Sequence, residues 1–407
     1  MTQHTLRKSR PVSQGGSDSS SHRAGRGWRT AVPRLPEFVI EHILLLPVGA
    51  AVALVWANTS PESYFRFTYA IHFAVNDVAM AFFFGLIAKE VVEATAPGGV
   101  LHPWRRAALP FVASLPAVLV PAALLPTVAR AFDEPVLGVA WLVPAAVDLA
   151  LGYVIARLIF GARHPAVPFL LLLGIAANAF GIAALAVLYP TRDARLLEAA
   201  VLMMAAIATV LTLRRARVRS FWPYVLGAGA LSWAAFFFAG SHPALALLPI
   251  VALMPHARRD PGFFAEAKPT AHDPLNNFER WWTVPVQFVL FFFALVNTGI
   301  QLRALELGTL ALPIASILGR PIGLIAGVAI ALGIGLHLPS RLGWREIVVL
   351  GLVSSLGFTF ALFFATAVLG AGQVLAEIRM GVLLSLVAGA IAVAVARLLR
   401  TGRFQES

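Results

Sequence analysis

The sequence predicts an all-α integral membrane protein with about twelve transmembrane helices. Hydrophobic residues make up 59% of the 407-residue chain and charged residues only 13%, where a soluble domain usually carries about 25% charged residues. The apolar residues gather into twelve runs, most of them near the ~20 residues that a helix needs to cross a bilayer. The basic residues fall mainly in the short segments between the runs, as membrane topology requires.

Residues 1–34 are rich in Ser, Gly and Arg and have no apolar period, so they read as a disordered basic cytoplasmic tail. No short apolar run follows the first arginines, which argues against a cleavable signal peptide. A transmembrane transporter domain is expected over 35–400, with a short cytoplasmic tail at 401–407. The spans are placed at 37–58, 73–95, 107–128, 138–160, 166–189, 196–213, 221–239, 241–255, 284–302, 309–336, 346–369 and 374–398. The eighth is short, and the tenth is long enough to tilt or break. Pro and Gly punctuate many of them, which membrane helices tolerate when neighbours satisfy the freed backbone groups.

Of the 32 Lys and Arg residues, 24 fall in the terminal segments and the alternate loops on one side. Six fall on the other side (Arg66, Arg130, Arg192, Arg195, Arg303 and Arg379), and Lys89 and Arg320 lie within spans. This asymmetry puts both termini in the cytoplasm of a multi-pass protein of the plasma (inner) membrane. It also accounts for the net charge of +12 without nucleic acid. The chain has no cysteine, and so no disulfide or thiolate metal site. No phosphate-binding Gly loop, HExxH or GxSxG pattern suggests an enzyme, a metal site or a cofactor.

Two opposite charges stand out. Asp148 lies in WLVPAAVDLALGYVIARLIF and Arg320 in LALPIASILGRPIGLIAGVAIALGIGL. A charge at the bilayer centre costs about 2.5–3.5 kcal/mol or more, so such residues face the protein interior or a cavity and mark function by default. At about 1.5 Å per residue, Asp148, Asn178, Arg320 and the segment Ser354-Ser355-Leu356-Gly357-Phe358 all fall near one depth. Pro144 and the small residues after it are placed to break the fourth span, and Ser354, Ser355 and Gly357 to break the eleventh. Half-helix ends carry about half a unit charge. A carboxylate suits the N-terminal kind and a guanidinium the C-terminal kind.

Several stretches resemble the NhaA sodium/proton antiporters: NDVAMAFFFGLIAKEV (76–91), AWLVPAAVDLALG (140–152), FLLLLGIAANAFGIAALAVLYP (169–190), SHPALALLPI (241–250), FFFALVNTGI (291–300), ILGRPIGL (317–324) and GLVSSLGFTFALFFATAVLG (351–370). The resemblance implies inverted repeats of spans 3–5 and 10–12. It also implies discontinuous helices 4 and 11 that cross beside an ion site, with Thr359 in the second broken segment. The site departs from the family pattern. Two consecutive aspartates are replaced by Asn178 and Ala179, and the lysine of the tenth span by Arg320; Asp148 remains. Asn and Ala do not titrate, and Arg keeps its proton in proteins.

Three readings follow. The first is exchange of a monovalent cation (Na⁺ or Li⁺) for H⁺ at a rearranged site of Asp148, Asn178 and Arg320. The second is transport of another solute, such as an organic anion held by Arg320. The third is a non-transporting relative that keeps the fold.

The resemblance further assigns Lys89, Glu90 and Glu93 to a cytoplasmic funnel that takes part in pH response; as residues alone they read as an interfacial charge cluster. Asp77, His242 and Asn297 are further polar groups within spans, suited to helix capping or interhelical hydrogen bonds. A homodimer in this family relies on an outer β-hairpin between the first two spans, and the connection at 59–72 is too short for most of it.

Overall fold

A computed structural model describes residues 45–95, 104–161, 164–189, 194–256, 273–302, 306–339, 341–370 and 372–405. The expected tail at 1–34 lies outside them. The described residues are predominantly helical, and no strand occurs among them. Seven helices are long and apolar enough to cross a membrane, or up to nine if each of two bent pairs counts as one span.

The first helix, α1 (Leu45–Thr59), leads at once into α2 (Pro61–Phe73). The connection expected at 59–72 is therefore helix, not loop. Pro61 provides the N1 residue, where its missing N–H costs nothing. Hydropathy misses α2 because Glu62 and Arg66 pair on its exposed face. Its inner face buries Tyr64 and Thr68 four residues apart. The Tyr64 hydroxyl donates to Leu295 O at 2.6 Å and accepts from Gly299 N at 3.0 Å. A π-helical turn, Ala74–Ala79, joins α2 to α3 (Met80–Thr95).

Next comes α4 (Trp104–Ala131), which holds prolines at 110, 116, 121 and 126. The fourth expected span starts with two 3-10 turns, Pro135–Ala140 and Val143–Ala145. It then unwinds over 146–148 and resumes as α5 (Leu149–Phe160), bent by 64°. The following helices are α6 (Ala166–Leu188), α7 (Leu196–Arg215), α8 (Gly229–Phe238, preceded by a π turn at Pro223–Ala228) and the short α9 (Leu247–Leu253).

The helix α10 (Pro274–Asn297) starts ten residues before the expected 284. Asp273 caps it, accepting from Asn276 N at 3.0 Å, and Pro274 follows at N1. The tenth span, α11 (Ala311–Gly333), runs unbroken through Pro321. The eleventh breaks into α12 (Trp344–Ser354) and α13 (Phe358–Val368), bent by 49°. Last come α14 (Gln373–Leu384) and α15 (Val387–Leu398), with a 3-10 turn at Gly402–Gln405. That turn packs on the end of α5: Gly402 has φ +59°, and a Cβ on it would lie 2.4 Å from Ile159 O.

Helices α4 and α11 meet backbone to backbone. Gly319, Gly323 and Gly327 recur every fourth residue on one face of α11. A Cβ on Gly323 would lie 2.4 Å from Pro116 O, and one on Gly327 2.6 Å from Ala113 O. Small residues at this spacing let membrane helices approach closely, which is how they gain packing energy without a hydrophobic drive. Both helix breaks lie in one apolar cluster with Leu142, Val143, Ala177, Phe358 and Phe360.

Gly323→Val is expected to force α4 and α11 apart and destabilise the fold by at least about 1–3 kcal/mol, as overpacking does. A detergent-solubilised variant that melts at the wild-type temperature would contradict this packing.

Candidate functional site

The two breaks meet at Asp148. Its side chain is the N-cap of α5: Oδ1 accepts from Ala150 N at 3.1 Å and Leu151 N at 3.0 Å. Its other oxygen caps α13, accepting from Thr359 N at 3.0 Å and Thr359 Oγ1 at 2.6 Å. The Asp148 N–H donates to Leu356 O at 2.6 Å inside the second break. One carboxylate, 2% exposed, thus serves two half-helix N-termini. Hydrogen bonds to a charged group contribute about 1.5–3 kcal/mol each, and this carboxylate accepts four of them.

Arg320 serves the opposite kind of end. From α11 its guanidinium donates through Nε to Pro144 O at 3.2 Å and through Nη2 to Ala145 O and Ala146 O. These carbonyls close the first half of the broken fourth span, where the backbone dipoles leave negative charge. Arg320 is fully buried, and among the described residues Nη1 has no partner. The negative end of α12 is closed by short side chains: Ser354 Oγ donates to Gly351 O, and Ser355 Oγ to Ser316 O and Gly351 O. Gly357 sits against the first break, where a Cβ would lie 2.9 Å from Ala146 O.

Asn178, from the middle of α6, reads both backbone groups of Val147. Its Oδ1 accepts from Val147 N at 3.0 Å and its Nδ2 donates to Val147 O at 2.8 Å. A carboxylate offers the first bond but not the second. Ala179, the next residue, is exposed and contributes no polar group. In the unwound segment 146–148 the carbonyls of Ala146 and Val147 are therefore engaged by Arg320 and Asn178, and that of Asp148 by Gly152 N.

A second charged cluster lies along α3. The Lys89 ammonium, 2% exposed, contacts Glu90 at 3.1 Å, Glu93 at 2.6 Å and Glu279 at 2.7 Å. Glu279, on the early turns of α10, was invisible to hydropathy, although the Asp-Pro helix start before it is a readable signal. One buried ammonium is thus shared by three carboxylates. Among the described residues no group of His, Asp and Glu is arranged to hold a metal ion; the carboxylates close on Lys89 instead. A cavity of about 90 Å³ joins the two regions, lined by Glu90, Asp148 and Thr359 and otherwise by apolar side chains such as Phe83, Leu171 and Phe360.

The remaining polar groups lie elsewhere. Asn297 exchanges hydrogen bonds with Asn76 at 2.8 and 3.3 Å and accepts from Arg379 Nη2 at 3.0 Å. Asn76 opens the stretch 76–91 quoted above, whereas Arg379 lies outside every such stretch. His242 caps the 3-10 turn Pro243–Ala246 and lies against the Phe363 ring at 4.8 Å. Asp77 lies in the π turn, and its carbonyl accepts from Trp233 Nε1 at 2.8 Å.

Residues 40–396 match the family model described as Na+/H+ antiporter 1. The chain belongs to this family. It is 37% identical to the Na(+)/H(+) antiporter NhaA of Geobacter metallireducens, over 92% of this chain and 99% of that protein. It is also 37% identical to NhaA 1 of Pelobacter propionicus, over 87% and 95%, and to NhaA of Desulfitobacterium hafniense, over 91% and 97%. In this NhaA-type protein the Asp148 carboxylate is committed to two half-helix ends.

Three substitutions test this arrangement by thermal or denaturant unfolding in detergent. Arg320→Met strips three carbonyls of their donor and is expected to cost about 3–5 kcal/mol, as breaking a buried charge interaction does. Thr359→Val removes one charge-assisted bond, at about 1.5–3 kcal/mol. Asn178→Asp leaves Val147 O without a donor and is expected to lose about 1–3 kcal/mol; wild-type stability in that variant would show that the amide is not needed there.

Proposed function

We propose that this protein is a Na⁺/H⁺ antiporter whose exchangeable proton is carried by Glu90. The family match over nearly the whole chain supports the antiport reading. The observation that carries the assignment of the carrier is the cavity shared by Glu90 and Asp148. Antiport through one site needs a group that binds a proton in one state and a cation in the other. Asp148 is engaged by four donors, Arg320 by three carbonyls, and Asn178 does not titrate. Glu90 is the remaining carboxylate on that cavity, and it shares Lys89 with Glu93 and Glu279. A proton or a monovalent cation arriving from the cavity would meet this carboxylate directly. Asp148 would then fix the geometry and present a negative wall to the cation.

In this reading seven long helices, two broken pairs and three shorter apolar helices make twelve crossings. The broken pairs cross at Asp148, and both termini lie in the cytoplasm of an inner membrane, as the Arg-rich loops favour. Arg320 donates through Nε and Nη2 to carbonyls and keeps only Nη1 for another partner, which weighs against an organic anion as the cargo.

Everted vesicles with a pH-sensitive dye test the proposal. Addition of Na⁺ or Li⁺ is expected to dissipate the proton gradient in the wild type, and Glu90→Gln to reduce this response at least about tenfold while melting like the wild type. No response to either cation in the wild type would remove antiport altogether. A full response in Glu90→Gln would remove Glu90 as the carrier and leave antiport standing.

A further inference from the structure

The Arg-rich end of the molecule holds a cleft that ion exchange does not use. It has a volume of about 630 Å³ and is lined by Phe160, His164, Arg341, Gly343, Glu346 and Arg403, among others. It lies where the end of α5, the start of α12 and the C-terminal 3-10 turn come together. Arg341 and Arg403 are exposed. Among the described residues neither forms an ion pair.

The surrounding backbone is unusual. Arg341 holds a left-handed φ of +73°, and Gly161 and Gly402 have φ +88° and +59°. A non-glycine residue in this region is strained and persists only where its surroundings fix it, often at functional sites. Gly161 also lets the Arg403 guanidinium lie close: a Cβ there would stand 3.3 Å from Arg403 Nε.

His164 adds a third donor. Its ring stacks on Phe160, with centroids 5.2 Å apart. Burial holds it below its usual range, with Glu346 opposing and Arg341 reinforcing that shift. The neutral ring accepts from Ala166 N through Nδ1 at 3.2 Å, so its proton resides on Nε2. Among the described residues lining the cleft the one acid, Glu346, accepts from Gly343 N at 2.9 Å and is 8% exposed. Two guanidinium groups against one engaged carboxylate leave the cleft with a net positive charge.

We infer that this cleft binds a phosphate-class oxyanion, held by Arg341 and Arg403 with His164 Nε2 as a further donor. Guanidinium forks match phosphate oxygens in geometry and charge. The anion comes from a lipid headgroup or from free phosphate; Trp344, 48% exposed at the start of α12, stands next to the lining residue Gly343, as an interfacial aromatic would beside a headgroup.

The test uses the full chain in neutral detergent, with thermal shift and native mass spectrometry as readouts. The probes are phosphatidylglycerol, phosphatidylcholine and inorganic phosphate. A saturable shift and a retained adduct with phosphatidylglycerol but not phosphatidylcholine are expected. A shift with inorganic phosphate as well supports the same site with a soluble source. R403Q lies in the terminal turn outside the helices, and R341Q/R403Q removes both guanidiniums. Each lost charge-assisted contact is expected to weaken binding about tenfold. No saturable shift with either anionic probe, or an unchanged affinity in R403Q and in the double variant, would overturn the inference.

Discussion

Four half-helix ends meet at the core of this protein, and their neutralisation is the constraint on which the rest of the structure depends. Each end carries about half a unit charge. The two positive ends, α5 and α13, share Asp148. The negative end of the first break takes Arg320, and that of α12 takes the Ser354 and Ser355 hydroxyls. Two fixed charges of opposite sign and four partial ones come close to cancelling. The balance ties distant parts of the fold together, because Arg320 reaches the break only if α11 lies tight against α4, and the glycine face of α11 permits that contact.

Asn178 shows what replaces a titrating group at such a place. A side-chain amide has the donor and the acceptor of a peptide unit, so it pairs with Val147 as a neighbouring strand would. It completes the hydrogen bonding of the unwound segment without a proton or an ion. In the proposed exchange the proton is carried by another carboxylate, Glu90, which shares a cavity with Asp148.

Much of this was legible in the sequence because charges in apolar runs are expensive. Asp148 and Arg320 announced themselves by that cost, and Pro144, Ser354, Ser355 and Gly357 marked breaks that the helices do show. The pairing of each charge with its kind of helix end followed from dipole direction alone. Helices that are polar on one face were harder to see. The turns of α2 and the start of α10 score low in hydropathy, so Tyr64 and Glu279 went unnoticed even though Pro61 and the Asp273-Pro274 pair signal helix starts. The partnership of Asn76, Asn297 and Arg379 joins residues more than 80 positions apart, and no local pattern encodes it.

The π turn at Ala74–Ala79 has an effect on angular phase. A π turn accommodates one more residue than the α-helical ladder around it, and here it lies between the Tyr64 anchor and the Lys89 cluster. Were the same residues wound as regular α-helix instead, everything beyond the turn would swivel by about 100°. Lys89 would then point away from Glu279 while Tyr64 kept its grip on α10. The surplus residue acts as a clocking device that lets one continuous rod meet the same partner helix correctly at both of its ends.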